Sequence, residues 1–356
     1  MTTRLRVAII GAGIGGNHMI AYAKLAHLFE VRYICDLNIE RAQPVADLMP
    51  GCRAITDMGE AFADPDIDLI DNCLPPHLHA PITLAALEAG KNVICEKPLS
   101  GSLADVDRMA EAAGRSGKQV FPVFQYRYGS GYRAAHALKA KGLLGKAYTL
   151  SLETHWQRGA DYYAAKWRGT WKGELGGAIV SHACHIHNLA THLAGDVVEV
   201  AALLDTRVNP IETEDCGAII MRTADGALVT SSITLGAAGN TSRFRACFEH
   251  VMMTSDTEAY HIGGGNWTFL ATDPVRQAEI DAIVALYPDT DRRFTGMFTD
   301  IHAYLTEGKD VFLPTMAEGR HSVELMTAIY ESDRSRKFVK LPLAPDHPLA
   351  GGWLPG

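Results

Sequence analysis

The run Leu5-Arg6-Val7-Ala8-Ile9-Ile10, followed at once by Gly11-Ala12-Gly13-Ile14-Gly15-Gly16, constrains the fold of this chain more than any other feature. The apolar run reads as a buried strand, and the G-x-G-x-x-G loop as a turn whose backbone can approach a ligand closely. An amphipathic segment from about Asn17 to His27 makes a helix. A second strand, Val31-Arg32-Tyr33-Ile34-Cys35, then ends in Asp36. This order gives the glycine motif its meaning, because the helix N-terminus offers N–H groups and a positive dipole end to a pyrophosphate. Asp36, about 20 residues beyond the last glycine, is placed to accept a ribose 2′-hydroxyl. A carboxylate there repels a 2′-phosphate, which favours NAD over NADP. The plain alternative for Asp36 is the N-cap of a helix starting near Ile39, and the two roles are compatible.

The alternation continues. Residues 67–74 are strand-like and Pro75-Pro76-His77 breaks them; Ala80 to Ala89 is helical with Gly90 at its C-cap. Asn92–Cys95 is the next strand, Leu103 to Gly114 a helix and Gln119–Phe124 a further strand. The pattern predicts an α/β domain over residues 1–126 with a doubly wound parallel sheet. In that topology the glycine loop, Asp36, residues 73–79 and Glu96-Lys97-Pro98 share one carboxyl edge, where open α/β sheets bind ligands. Pro98 fixes its own φ and pushes Lys97 toward extended backbone, so the ammonium is aimed. The Lys97–Pro98 bond is also a candidate for the cis form. A surface lysine at a strand–helix turn is the bland reading, and the crowded edge counts against it.

After residue 126 the pattern changes. A helix through about Lys139 precedes strand-like runs at 147–157, 197–206, 215–223, 227–236, 242–255 and 257–262, with turn pairs such as Asp225-Gly226. Helices are expected near 181–194, 293–307 and 317–332. This predicts an α+β domain over 127–345 with a large, mostly antiparallel open sheet, then a tail at 346–356. A chain of 356 residues suffices for two such domains, and 47% hydrophobic with 21% charged residues describes an ordinary soluble globular protein. The net charge of −8 argues against a nucleic-acid or anionic-membrane partner. The N-terminal apolar segment is too short for a signal core or a membrane span, so a cytoplasmic location is expected. Seven cysteines without a C-x-x-C pair read as reduced, mostly buried thiols.

The segment from Gly176 to Asn188 carries the chemistry of the second half. On a regular helix His182, His185 and His192 share one face. A zinc site has no H-E-x-x-H, no nearby cysteine pair and no base-like glutamate on that turn, so no metal is expected. Packed, hydrogen-bonded histidines are the reading for His187 and His192. For His185 an acid–base role is better, since an imidazole titrates near neutrality and can trade a proton with a substrate hydroxyl.

Taken together, these residues resemble the Gfo/Idh/MocA oxidoreductases, the glucose–fructose oxidoreductase and inositol dehydrogenase family. The resemblance rests on Gly11–Gly16, Asp36, Leu74-Pro75-Pro76-His77-Leu78-His79, Ala89-Gly90-Lys91, Glu96-Lys97-Pro98, Trp167-Arg168-Gly169 and the segment through His185, and covers nearly the whole chain. It implies a Rossmann domain, a second domain whose open sheet makes a homodimer or homotetramer interface, and a bound NAD. The dinucleotide would lie against Gly11, Gly13, Ile14, Gly15, Gly16, Asp36, Arg41, Leu74, Pro75, His79, Glu96, Lys97, Gln125, Trp167 and Arg168. Lys97 and His185 match the family's proton-handling residues, with His182 as a further candidate. Two departures stand out. Many dehydrogenases of this family carry Asp four residues before the histidine, where this chain has Ser181. The histidine that commonly follows the glycine loop comes one place early, at His18.

Between these motifs lie Trp156, Arg158, Tyr162, Tyr163, Trp167 and Trp171. Aromatic faces stack on pyranose rings, and Arg or Lys can grip an anionic substituent by forked hydrogen bonds. Ordinary packing on a half-buried sheet is the alternative. The expected substrate is a carbohydrate, possible anionic groups being uronate, phosphate or sulfonate, held by Lys97, Tyr126, Trp156, Arg158, Tyr163, Ser181, His182 and His185. The leading function is an NAD-dependent sugar or cyclitol dehydrogenase. A glycosidase working through a transient keto-sugar with recycled NAD, and a non-catalytic sensor, are the alternatives.

Overall fold

A computed structural model describes residues 3–288 and 292–355. The chain divides into two compact units, Met1–Val123 with Phe294–Arg320, and Phe124–Arg293 with His321–Gly356.

The first unit is built on six parallel strands, β1 (Leu5–Ile10), β2 (Phe29–Cys35), β3 (Arg53–Ile55), β4 (Leu69–Asn72), β5 (Asn92–Cys95) and β6 (Val120–Pro122), in the order β3-β2-β1-β4-β5-β6. Helices α1 (Gly15–Lys24), α2 (Ile39–Ala46), α3 (Met58–Ala63), α4 (His79–Glu88) and α5 (Leu103–Ser116) make the crossovers. β4 is buried at every position, as expected of a parallel strand covered on both faces. The strand order reverses between β1 and β4, which sets a ligand crevice at their carboxyl ends. There Gly11 has φ +106°, and a Cβ on it would lie 2.6 Å from the Cys73 carbonyl oxygen, so the β1 and β4 exits approach at glycine distance. The α2 N-cap is Asn38, whose side chain accepts from the Glu40 N–H; Asp36 is not the cap.

Residues 294–320 pack in this unit, whereas the sequence pattern places them in the second domain. Helix α10 (Arg293–Glu307) carries Phe294, Phe298 and His302 on one stripe. Phe298 stacks on Tyr22 with centroids 4.4 Å apart, and His302 meets Phe29 edge-on at 5.6 Å. A stripe shows that a helix has a partner, not which sheet provides it.

The second unit holds eight strands in the order β13-β12-β11-β7-β10-β9-β8-β14. They are β7 (Ala147–Gln157), β8 (Val197–Asp205), β9 (Cys216–Thr223), β10 (Leu228–Thr234), β11 (Gly236–Phe248), β12 (Val251–Thr254), β13 (Thr268–Ala271) and β14 (Val339–Lys340). The β7–β10 pair is parallel and the other pairings are antiparallel. Helices α6 (Ser130–Ala140), α7 (Trp171–Glu174), α8 (Cys184–Ala194) and α9 (Pro274–Val284) belong here, while α11 (Met316–Ser335) crosses the division. The expected strand 242–255 is two strands joined at Glu249-His250, and 257–262 is a turn with a single bridge at Glu258. The tail is anchored: Trp353 is fully buried and stacks on Tyr330 at 5.4 Å. Among the described residues no helix is long and apolar enough to cross a membrane.

A tight corner leads into α8. Leu175 is left-handed at φ 65°, Gly176 has φ +154°, and a Cβ on Gly177 would sit 1.8 Å from the Glu214 carbonyl oxygen. Backbone cannot yield as a flexible side chain does. Gly177→Ala should cost the second unit roughly 2–4 kcal/mol and lower its melting midpoint by roughly 5–10 °C in calorimetry. Gly159→Ala, with nothing within 4 Å of the added carbon, should leave the midpoint in place.

Candidate functional site

The first unit gathers one set of predicted residues at its carboxyl edge. Asp36 accepts from the Ala12 N–H (3.1 Å) and the Asn38 N–H (3.0 Å), with the Arg41 guanidinium 3.8 Å away. A carboxylate has about four lone-pair sites, so capacity remains for ribose hydroxyls. Gly13 has open space up to Arg41 at 3.7 Å, and Gly15 begins α1 with its N–H groups toward the loop. Ile14 is exposed at the loop tip. This donor set fits a dinucleotide pyrophosphate and ribose.

Lys97 is half-buried, and its bond to Pro98 is cis. The loop around it is tied down from two sides. His79, buried, places Nδ1 2.5 Å from the Pro98 carbonyl and Nε2 2.7 Å from the Leu74 carbonyl, which links the end of β4 to the lysine turn. Burial pushes the His79 pKa down, against the two carbonyls that favour a doubly protonated ring. His79 and Leu74 therefore meet the site through backbone geometry. Glu96 accepts from the Lys97 N–H at 3.1 Å, and its other oxygen lies 3.2 Å from His18 Nε2.

Sequence reading missed what His18 does. Its Nδ1 is 2.9 Å from Asp71, which also accepts from Tyr22 (3.0 Å) and from the Cys73 thiol (3.4 Å). All of these groups are buried. Burial opposes a charged ring, but the adjacent Asp71 carboxylate outweighs it and raises His18 well above the ordinary histidine range. The early position of His18 after the glycine loop was the available signal. His18, Asp71 and Cys73 are the one trio within metal-bridging distance among the described residues, and their mutual hydrogen bonds already account for their proximity.

The second unit gathers the others. A five-residue π-helical stretch, Ile179–Ala183, precedes α8. The wider turn shifts the register of His182 relative to α8, while His185 and His192, seven residues apart within α8, keep the shared face predicted for a regular helix. His185 lies against Tyr126, centroids 4.4 Å apart. His192 is stacked on His136 and 2.7 Å from the Tyr132 hydroxyl, and burial pushes its pKa to about 2. His187 sits 2.9 Å from Ser231, pushed by burial to about 4. His182 Nε2 is 3.3 Å from Arg158 Nε. Since arginine only donates, Nε2 accepts, and the His182 proton sits on Nδ1.

Arg158 is caged by Trp156 (5.0 Å), Tyr162 (4.8 Å) and Tyr260 (5.2 Å) and donates to Tyr260 and the Gln157 carbonyl. Trp156 donates to Ser242 at 2.9 Å, so packing explains part of its role. Arg168 lies over Trp167 at 4.3 Å and pairs with Glu174 at 3.2 Å, while Tyr163 packs beside Gly169. Gln125 is buried beside Tyr126, its Oε1 without a partner.

Glu214 secures the start of the histidine segment. Its Oε1 accepts from the Gly177 and Ile179 N–H groups, each at 3.0 Å, and from the Tyr330 hydroxyl at 2.9 Å. Glu214 lies more than 30 residues from the segment it holds, so local pattern gave no sign of it.

Two sequence models of one family match this chain: "Oxidoreductase family, NAD-binding Rossmann fold" over residues 5–124 and "GFO/IDH/MocA C-terminal domain" over 132–254. The chain belongs to that family. Myo-inositol 2-dehydrogenase of Thermotoga maritima is 25% identical over 63% of this chain and 66% of its own length. Levoglucosan dehydrogenase of Pseudarthrobacter phenanthrenivorans is 30% identical over 62% of this chain and 59% of its own length. The match thus spans less than two thirds of either relative. The WlbA dehydrogenase of Bordetella pertussis, solved with NADH and UDP-GlcNAcA, superimposes with a TM-score of 0.84 at 27% identity, covering 97% of this chain and 100% of that one.

Burial pushes the Glu214 pKa up to about 7, so the folded state holds a proton the unfolded chain releases near 4.5. The stability this gives is full below pH 4.5 and is lost as pH rises through 7. Glu214→Gln should flatten that dependence. Between pH 4.5 and 7 the native protein should lose on the order of 3 kcal/mol more than the variant in urea titrations. Parallel pH profiles would exclude titration of Glu214 in this window.

Proposed function

We propose that this protein is an NAD-dependent dehydrogenase that moves a hydride between the nicotinamide and a carbinol carbon of a sugar, sugar acid or cyclitol. The observation that carries the reading is Lys97, held on a turn fixed by Glu96 and His79 at the same sheet edge as the glycine loop and Asp36. Bound NAD supplies the hydride acceptor. Gly11–Gly16 receive the pyrophosphate, and Asp36 the ribose, which discriminates against NADP. As the C–H bond delivers its hydride and C=O forms, Lys97 Nζ takes the hydroxyl proton, and His185 serves as a second acid–base group. The names of the inositol and levoglucosan relatives support a polyhydroxylated substrate. Arg158 hydrogen-bonds to the neutral groups His182, the Gln157 carbonyl, Asn240 and Tyr260, and is the cation we assign to an anionic substituent; Arg168 already faces Glu174. The location we infer is the cytoplasm, in keeping with seven free cysteines.

A panel of myo-inositol, levoglucosan, glucuronate, a UDP-sugar acid and a nitrophenyl glycoside, each with NAD and NADP, tests the reading. Stoichiometric NADH is expected, with preference for NAD and for the anionic members. Aglycone release without NADH would instead establish the glycosidase, and NAD binding without any product the sensor. Lys97→Met should lower kcat by roughly 10²–10⁴-fold while leaving NAD affinity nearly unchanged in fluorescence titration. Full turnover in that variant would refute the assignment.

The second unit leaves one sheet face uncovered. Leu203, Ile220, Leu228, Met252 and Leu270 are all exposed there, and the strand register sets them on one side. We infer that a second copy of the chain covers it, giving a homodimer or homotetramer. Sedimentation should find an oligomer that Leu203→Glu with Ile220→Glu converts to monomer, whereas a monomeric native protein would overturn the inference.

A further inference from the structure

His18 is fully buried, and each nitrogen of its ring meets a carboxylate. Nδ1 lies 2.9 Å from Asp71 Oδ2, and Nε2 lies 3.2 Å from Glu96 Oε1. A carboxylate only accepts, so both ring nitrogens donate. Phe294 and Phe298 pack against the ring with centroids 4.4 Å and 5.4 Å away.

The two ends of the ring do different work. Toward Asp71, His18 is one donor among several. Tyr22, one turn further along α1, donates to Oδ2 at 3.0 Å, and the Cys73 thiol donates to Oδ1 at 3.4 Å. Toward Glu96 it is the first link of a short chain. Glu96 is buried, and its second oxygen accepts from the Lys97 N–H at 3.1 Å. His18 and the Lys97 peptide therefore hold opposite oxygens of one carboxylate, which fixes its plane and, through it, the backbone that carries the lysine.

We propose that His18 is a positioning residue for the dehydrogenase reaction, acting on Lys97 through Glu96. Being fully buried, it exchanges no proton with the substrate. Its part is to keep Lys97 Nζ where a carbinol hydroxyl arrives, because a displacement of about 1 Å at a reacting group can cost roughly 10²-fold in rate. His79 holds the far side of the lysine at the Pro98 carbonyl, so losing the His18 tie loosens the turn without releasing it.

This inference rests on the Lys97 reading, and the experiment separates the two. An asparagine amide reaches as far as Nδ1 of histidine, and a glutamine amide as far as Nε2. His18→Asn thus keeps a donor to Asp71, and His18→Gln a donor to Glu96. Both are compared with native protein and Lys97→Met for kcat, KM and NAD affinity on the best substrate of the panel. His18→Asn should lower kcat roughly 10- to 100-fold, with KM and NAD affinity within about threefold of native. His18→Gln should keep a kcat at least about tenfold above that of His18→Asn. A role through Asp71, or in folding alone, would give the reverse order or parallel losses. Glu96→Gln, alone and with His18→Asn, decides the matter if His18→Asn by itself does not fold. With the intermediary gone, the second change should cost less than about threefold in kcat, and a further loss of about tenfold would overturn the inference. Native turnover that Lys97→Met abolishes removes the inference alone if His18→Asn keeps full kcat. The same holds if His18→Gln falls as far as His18→Asn, or if NAD affinity drops in step with kcat. Full turnover in Lys97→Met, or native protein that forms no NADH from any member of the panel, removes the reading and the inference together.

Discussion

A single buried imidazolium organises the first unit. Asp71 and Glu96 carry their carboxylates into the interior beneath the carboxyl edge of the sheet, where an unpaired charge is costly. His18 meets both, at 2.9 Å and 3.2 Å. Because His18 sits on α1, Asp71 on β4 and Glu96 just past β5, one ring ties the helix behind the glycine loop to two strand ends. Glu96 then holds the Lys97 N–H. The loop that would cradle the dinucleotide and the turn that aims the lysine thus share one electrostatic support. Removing His18 would take away the cation that the two carboxylates share.

The same constraint explains why residues 294–320 join this unit. A charged cluster is strongest where water is excluded, and α10 provides the seal: Phe294 lies 4.4 Å from the His18 ring and Phe298 stacks on Tyr22, the third donor to Asp71. The aromatic stripe of α10 therefore finishes the interior of a domain whose strands end some 170 residues earlier in the chain.

What could be read from the sequence follows from how local each feature is. Parallel strands buried on both faces appear as unbroken apolar runs, so β1, β4 and β5 and the glycine loop between β1 and α1 stand out. Asp36 and Lys97 are legible for the same reason, being set by the ends of such runs. The short edge strands β13 and β14 lack a run to detect, and the π-helical stretch before α8 leaves no trace in composition because one extra residue per turn changes no residue type. The supports are the least legible part. His18 to Glu96, Glu214 to Gly177 and Trp156 to Ser242 join residues 78, 37 and 86 positions apart, and no period links them.

In the second unit the segment 176–185 is held by acids from both sides. Glu214 takes the N–H groups of Gly177 and Ile179, while Glu174 takes the Ser181 hydroxyl two residues later. A regular helix would satisfy these groups within itself and would turn His182 and His185 with a fixed α period. The π-helical stretch breaks that period, so the two histidines face separate surroundings, His182 toward Arg158 and His185 toward Tyr126. An irregular helix start is stable only when outside groups satisfy its donors. The acids therefore do more than cap a helix. They make possible a local geometry in which His182 accepts from Arg158 while His185 packs against Tyr126.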